Sequence, residues 1–228
     1  MPEHPPALIT DAAVVAWLDH SLPDPDQVRY LFSEMATART KLATAADLRA
    51  LPDHVRAEII HGVIVEKANP SAEHGVSQLS VGATLKRRFQ RQPGGRWPGG
   101  WWFGTEIEVE YETHELYRHD VVGWRRDRVP QLPSGRPVRV RPDWACELLS
   151  PSNAKRDLVD KLQVLHTNQV PHDWIADPVE RTLIVHRWEP RGYLVVVTAG
   201  LGDVIRAEPF ESTELRTSVL FGVEDEEE

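Results

Sequence analysis

Apolar positions change their spacing along the chain, and the changes mark the elements. In "TDAAVVAWLDH" (10–20) and "DPDQVRYLFSEMATARTKL" (24–42) they fall at helical intervals behind acidic starts. The breaker "LPDPD" (22–26) divides the two, so residues 1–43 are expected to form an N-terminal helical extension. "TAADLRALP" (44–52) predicts a short helix capped by Thr44, with Asp47 three residues on. "AEIIHGVIVEKANP" (57–70) predicts a hairpin turning near His61-Gly62. "SAEHGVSQLSVGATLKRRFQRQ" (71–92) predicts a helix with Val76, Leu79 and Ala83 on its core face, extended by Leu85 and Phe89.

The spacing then shortens to two. In "WWFGTEIEVEY" (101–111), Ile107, Val109 and Tyr111 face one way and Glu106, Glu108 and Glu110 the other. "ETHE" turns the chain into a second strand, "LYRHDVVGW" (116–124), and a third follows over "VRVRPDWACELL" (138–149). A helix is expected from Ser150 to about Asn168, with Leu158, Leu162 and Leu165 in register. "DWIADP" (173–178) is a fourth strand, and "RTLIVHRWEPRGYLVVVT" (181–198) a hairpin turning at Pro190 to Gly192. The core order is helix, strand, strand, strand, helix, strand. A strand that returns after a helix runs parallel to its predecessor, which predicts a mixed sheet with helices packed on it, an α/β sandwich.

Composition narrows the class. The 228 residues are 41% hydrophobic and 27% charged, ordinary for a globular chain. One cysteine, Cys146, excludes an internal disulfide and fits a reducing cytoplasm. No stretch reaches the ~20 apolar residues of a membrane helix. The net charge of −9 argues against a general nucleic-acid binder, but removing the five acids of the tail "EDEEE" (224–228) takes it to −4. Basic residues gather in "KRRFQR" (86–91), "RRDR" (125–128) and "RPVRVR" (136–141). These are either solvated faces or a local rim for phosphates.

Two carboxylates fall inside apolar strands. Glu147 shares a strand face with Ala145 and Leu149, opposite Trp144, Cys146 and Leu148. Asp120 sits beside "VVGW". A buried carboxylate needs a partner. If the two strands adjoin, a divalent cation answers both needs, and hard oxygens favour Mg2+ or Mn2+. The alternative is pairing with a base, Arg118 or Arg141 being candidates. Lys161 stands one turn after Asp157, which reads as a surface ion pair or as an ammonium directed at Glu147. Glu58 opens the hairpin as a possible third ligand or salt-bridge partner, and His74 is a cap, a packed side chain or an accessory group. "HELYRH" (114–119) has its histidines five apart rather than four and spans a turn, so it is no zinc helix. Ser150 and Ser152 suit a helix start better than nucleophiles.

"ALP", "AEIIHGVIVEKANPSAEHG", "HDVVGW", "ACELLSPSNAKRDLVDKL" and "VPHDWIADPVERTLIVHR", in this order, resemble the Uma-two family of restriction endonucleases in the PD-(D/E)XK superfamily. The likeness spans roughly residues 44–220 and leaves an acidic tail at 221–228. It implies a restriction-endonuclease-like αβββαβ core and a Mg2+- or Mn2+-dependent endodeoxyribonuclease acting on DNA; separately from the resemblance, the helical arm of residues 1–43 could serve an assembly protein by making a homodimer. By the same resemblance Asp120 and Glu147 bind the metal, Lys161 replaces the strand lysine from the next helix, Glu58 matches the acid before the core, and His74 a frequent histidine. His119 stands where the superfamily has proline, a change expected to matter little. Leu149 stands where it has lysine, so activity depends on Lys161. The alternative is a catalytically inactive nuclease-like domain that binds nucleic acid or protein.

Overall fold

A computed structural model describes residues 41–52, 54–93, 95–150 and 156–224. The expected helices of the N-terminal extension, the turn at Pro151 and Ser152, and the tail beyond Glu224 lie outside the described residues.

Helix α1 (Ala45–Arg49) is capped as its sequence predicts: the Asp47 carboxylate accepts from the Thr44 N–H at 2.9 Å and from its hydroxyl at 2.7 Å. Strands β1 (Ala57–Ile60) and β2 (Val63–Glu66) meet at a two-residue turn in which His61 and Gly62 both have positive φ, 51° and 76°. Gly62 is required there twice over, because a Cβ would also stand 2.6 Å from Leu42 Cδ2. Helix α2 (Ala72–Phe89) starts at Ser71, whose Oγ accepts from the His74 N–H. Its buried face keeps the expected Leu85 and Phe89 but is otherwise not the expected one. Val81, Leu85 and Phe89 are buried with His74, Ser77 and Thr84, while Val76, Leu79 and Ala83 are exposed, Leu79 by 72%. Apolar spacing misplaced the face because three of its inward positions are polar.

The hairpin of β3 (Trp101–Glu112) and β4 (Glu115–Arg125) leads to β5 (Trp144–Leu148). That third strand is shorter than expected. Pro142 has no N–H to give a ladder, and Val138 makes only an isolated bridge to Val109. A π-helical turn, Arg156–Asp160, runs into α3 (Lys161–Thr167). The π turn offsets the helical register, so Leu158 is exposed and the buried positions are Lys161, Val164 and Leu165. Then follow β6 (His172–Asp177), β7 (Thr182–Glu189), β8 (Gly192–Ala199), the small β9 (Val204–Ile205) and β10 (Leu215–Arg216), and α4 (Thr217–Leu220).

Eight strands form one sheet, ordered β2-β1-β4-β5-β6-β7-β8 with β3 also on β4. β5 and β6 are parallel, as the intervening helix requires; the other named pairs are antiparallel. The alternation expected of β5 holds: Trp144, Cys146 and Leu148 join the main apolar cluster, and Ala145 packs with Leu165 and Val170 on the other face. Phe210, from the segment before β10, enters the main cluster among Phe89, Trp101, Trp144 and Trp174, at centroid distances of 4.8 to 5.5 Å. No helix among the described residues is long and apolar enough to cross a membrane.

One feature of the sheet creates the site. β3 pairs with β4 over nearly all of its length and so occupies one edge. The other edge is shared, by β1 at Leu116 and by β5 at Val121 to Gly123. Between these contacts the strand edge opens at residues 117–120.

Candidate active site

Backbone groups left without a strand partner must be satisfied by something else. In the opened edge side chains do this. The Arg118 N–H donates to Glu58 Oε1 at 2.8 Å, and the Arg118 carbonyl accepts from Lys67 Nζ at 2.7 Å. The Asp120 carbonyl accepts from Gln78 Nε2 at 2.9 Å. Charged side chains are therefore drawn into the sheet at the point where β1 and β5 part.

Asp120 and Glu147, expected to meet if their strands adjoin, do meet. Asp120 Oδ2 accepts from the Leu148 N–H at 2.8 Å, tying the side chain of β4 to the backbone of β5. Its Oδ1 accepts from Lys67 Nζ at 2.7 Å, with His74 Nε2 at 3.5 Å. Lys67 Nζ also lies 3.8 Å from Glu147 Oε2, so one ammonium faces both carboxylates. Lys161 Nζ is 3.2 Å from the same Glu147 oxygen and 2.9 Å from Glu58 Oε1. Its ammonium also lies 5.7 Å from the centre of the Tyr117 ring. The remaining Glu147 oxygen, Oε1, is 2.6 Å from His119 Nδ1, and His119 Nε2 is 2.7 Å from the Tyr111 hydroxyl. With the proton on Nδ1, His119 donates to the carboxylate and accepts from the tyrosine.

Glu58, Asp120, Glu147 and Lys161 are each 1% exposed, and Lys67 5%. Such burial disfavours every charge, and pairing offsets that cost. Burial works against ionised Asp120, but Lys67 and His74 outweigh it and hold the carboxyl below its usual range. Burial likewise opposes ionised Glu147, yet Lys161, Lys67 and the His119 hydrogen bond keep its pKa lowered. Burial opposes charge on Lys67 as well, and Glu147, Asp120 and Glu58 together raise its pKa.

All five residues singled out from the sequence thus come together: Glu58, His74, Asp120, Glu147 and Lys161. The base partners considered from the sequence do not take part. Arg118 pairs with Glu108, and Arg141 donates to the Gln169 carbonyl. Lys161 is no surface residue; the Asp157 side chain lies outside the described ones. Sequence reasoning missed Lys67, Tyr111 and the importance of His119. Lys67 follows an exposed edge strand and shares its dipeptide with Glu66, so it reads as a solvated charge. His119 carries a signal in hindsight, an imidazole inside the apolar run of β4, directly before Asp120.

The oxygens that could hold a cation are Asp120 Oδ1 and Glu147 Oε2, those facing Lys67. Among the described residues no group of three or more His, Cys, Asp or Glu side chains is arranged to hold a metal ion. The basic clusters are largely committed within the chain: Arg125 to Asp127, Arg128 to Asp143, Arg136 to Glu108 and Arg139 to Glu110, with Arg126 stacked on Trp102.

Comparison with known proteins identifies the family and the fold. The model of the Uma2 family, described as "Putative restriction endonuclease", matches residues 45–219. Among solved structures, that of a "putative nuclease belonging to DUF820" from Anabaena variabilis superposes with a TM-score of 0.63 at 20% identity, covering 79% of this chain and 98% of that one. At this identity the likeness establishes the restriction-endonuclease-like fold. No curated protein matches.

Proposed function

The chain belongs to the Uma2 family, and from that premise we propose that it is a divalent-metal-dependent nuclease hydrolysing DNA phosphodiester bonds at the buried carboxylate cluster. One observation carries the reading: Asp120 and Glu147, on adjoining strands, turn oxygens toward a single ammonium, Lys67 Nζ, at 2.7 and 3.8 Å. The fold gathers two hard-oxygen groups around one positive charge. That donor chemistry fits Mg2+ or Mn2+, because magnesium at phosphoryl-transfer sites commonly takes one or two carboxylates and keeps several waters. Asp120 and Glu147 would hold the ion, with Glu58 as a third acid behind Lys161. When bound, the ion supplies Lewis-acid polarisation of the phosphate and a water of lowered pKa.

The protein's own groups do the rest. His119 fixes the Glu147 carboxylate by holding Oε1, which leaves Oε2 toward the centre. The Leu148 N–H fixes Asp120 in the same way through Oδ2. Lys161, anchored between Glu58 and Glu147, presents a fixed positive charge where charge would build on a phosphate. DNA as the substrate rests on the family's description.

The test is cleavage of supercoiled plasmid and of linear duplex with Mg2+ or Mn2+, by the wild type and by Asp120→Asn, Glu147→Gln and Lys161→Met. Each variant is expected to lose about 100-fold or more. A folded wild type that cuts no DNA with either ion ends the nuclease reading. Cutting that survives all three changes ends the site assignment.

A second reading, a nuclease-like domain that binds nucleic acid or protein without cutting, is favoured by one observation. Each of the three carboxylates already has an ammonium or imidazole partner, and Leu149 stands where the superfamily has its strand lysine. That reading expects retention of a DNA duplex in gel-shift measurements with no product at any metal concentration.

A further inference from the structure

Lys67 has no part in the chemistry of the nuclease reading, and its ammonium stands where that reading needs the metal ion. Its ammonium is 2.7 Å from Asp120 Oδ1, 3.8 Å from Glu147 Oε2 and 2.7 Å from the Arg118 carbonyl. It reaches this point from the irregular segment after β2, with its backbone N–H fixed on the Arg56 carbonyl at 2.7 Å. Every polar contact of the side chain is thus to the site or to the open strand edge beside it.

We propose that Lys67 is a built-in counter-ion of the metal centre, which must withdraw from Asp120 and Glu147 before a divalent cation can bind, and which thereby sets the cation affinity of the site. The inference rests on the metal reading of the proposed function.

Charge supports it: a divalent ion added with Lys67 in place would crowd a further cation against Asp120 and Glu147 beside Lys67 and Lys161, in surroundings that are at most 5% exposed at these residues, where uncompensated charge is costly. Geometry points the same way. The ion and the ammonium would share Asp120 Oδ1 and Glu147 Oε2, and two cations a few ångströms apart repel strongly. Lys161 has a different place: it is shared with Glu58, and so it stays while Lys67 leaves.

The experiment measures Mn2+ binding to the full-length protein, by titration calorimetry and by the loss of the free-ion EPR signal, without nucleic acid. The proteins are the wild type, Lys67→Met and Lys67→Arg. Lys67→Met keeps much of the side-chain length and removes the charge. It is expected to bind Mn2+ more tightly by about tenfold or more, while Lys67→Arg stays near the wild type. If Lys67→Met is unfolded without metal, restoration of its circular dichroism and melting transition by Mn2+ is the supporting result. Affinity in Lys67→Met equal to or weaker than the wild type, or a failure of Mn2+ to refold it, overturns the proposal. If neither wild type nor Lys67→Met binds Mn2+, the metal reading itself falls, and this inference with it. Binding by both at equal strength leaves the metal reading standing and removes only the counter-ion.

Discussion

Lys161 donates to Glu147 Oε2 at 3.2 Å although fourteen residues separate them in sequence. The strand supplies the carboxylate, and the helix after it brings the ammonium back over the strand. The same ammonium holds Glu58 at 2.9 Å, so one lysine joins β1, β5 and α3.

Replacing Lys161 by methionine removes the shared partner of two buried acids. The loss is expected to be about 3–5 kcal/mol, because breaking a buried pair leaves charge uncompensated. Urea unfolding of the metal-free protein measures it. A change below about 1 kcal/mol, the range of an exposed pair, would contradict the burial described here.

Tyr111→Phe removes the hydroxyl 2.7 Å from His119 Nε2 and leaves a buried ring nitrogen unpaired. About 1–3 kcal/mol of stability should go with it. If His119 orients Glu147, Mn2+ affinity should fall as well in Tyr111→Phe and in His119→Phe. Calorimetry on both variants checks this, and unaltered affinity in each would reduce the Tyr111–His119 pair to a structural role.

Stability should decline in acid. Burial disfavours the charges on Asp120 and Glu147, but their lysine and histidine partners outweigh it, so both carboxyls are lowered in the fold. A lowered carboxyl contributes stability that is present above its unfolded pKa, about 4, and lost as pH falls toward the folded value. Melting temperatures of the metal-free protein should therefore be level near neutrality and drop below about pH 4. The slope should flatten in the Asp120→Asn, Glu147→Gln double variant. An unchanged slope would assign acid sensitivity to other groups.

Phe210→Ala should cost about 3–5 kcal/mol, since the ring fills the space between Trp101, Trp144, Trp174 and Phe89. Chemical denaturation measures the loss. An effect below about 1.5 kcal/mol would mean that the aromatic cluster closes over the gap.

The sequence by itself determined the order of elements from α1 to β8, the turn at His61-Gly62, the cap at Thr44 and the inward face of β5, because these follow from local periodicity and backbone preference. It also marked Asp120 and Glu147, since a carboxylate inside an apolar strand demands a partner. The partners were decided by tertiary structure alone. Arg118 and Arg141 are near in sequence but belong to other pairs, while Lys67 and Lys161 arrive from distant elements. Two departures from regular geometry bring this about. The edge of β4 opens between β1 and β5, and a π turn rotates Lys161 inward. Neither leaves a mark in hydrophobic spacing: a strand reads the same whichever neighbour it lacks, and α2 turns His74 to the interior where Asp120 lies.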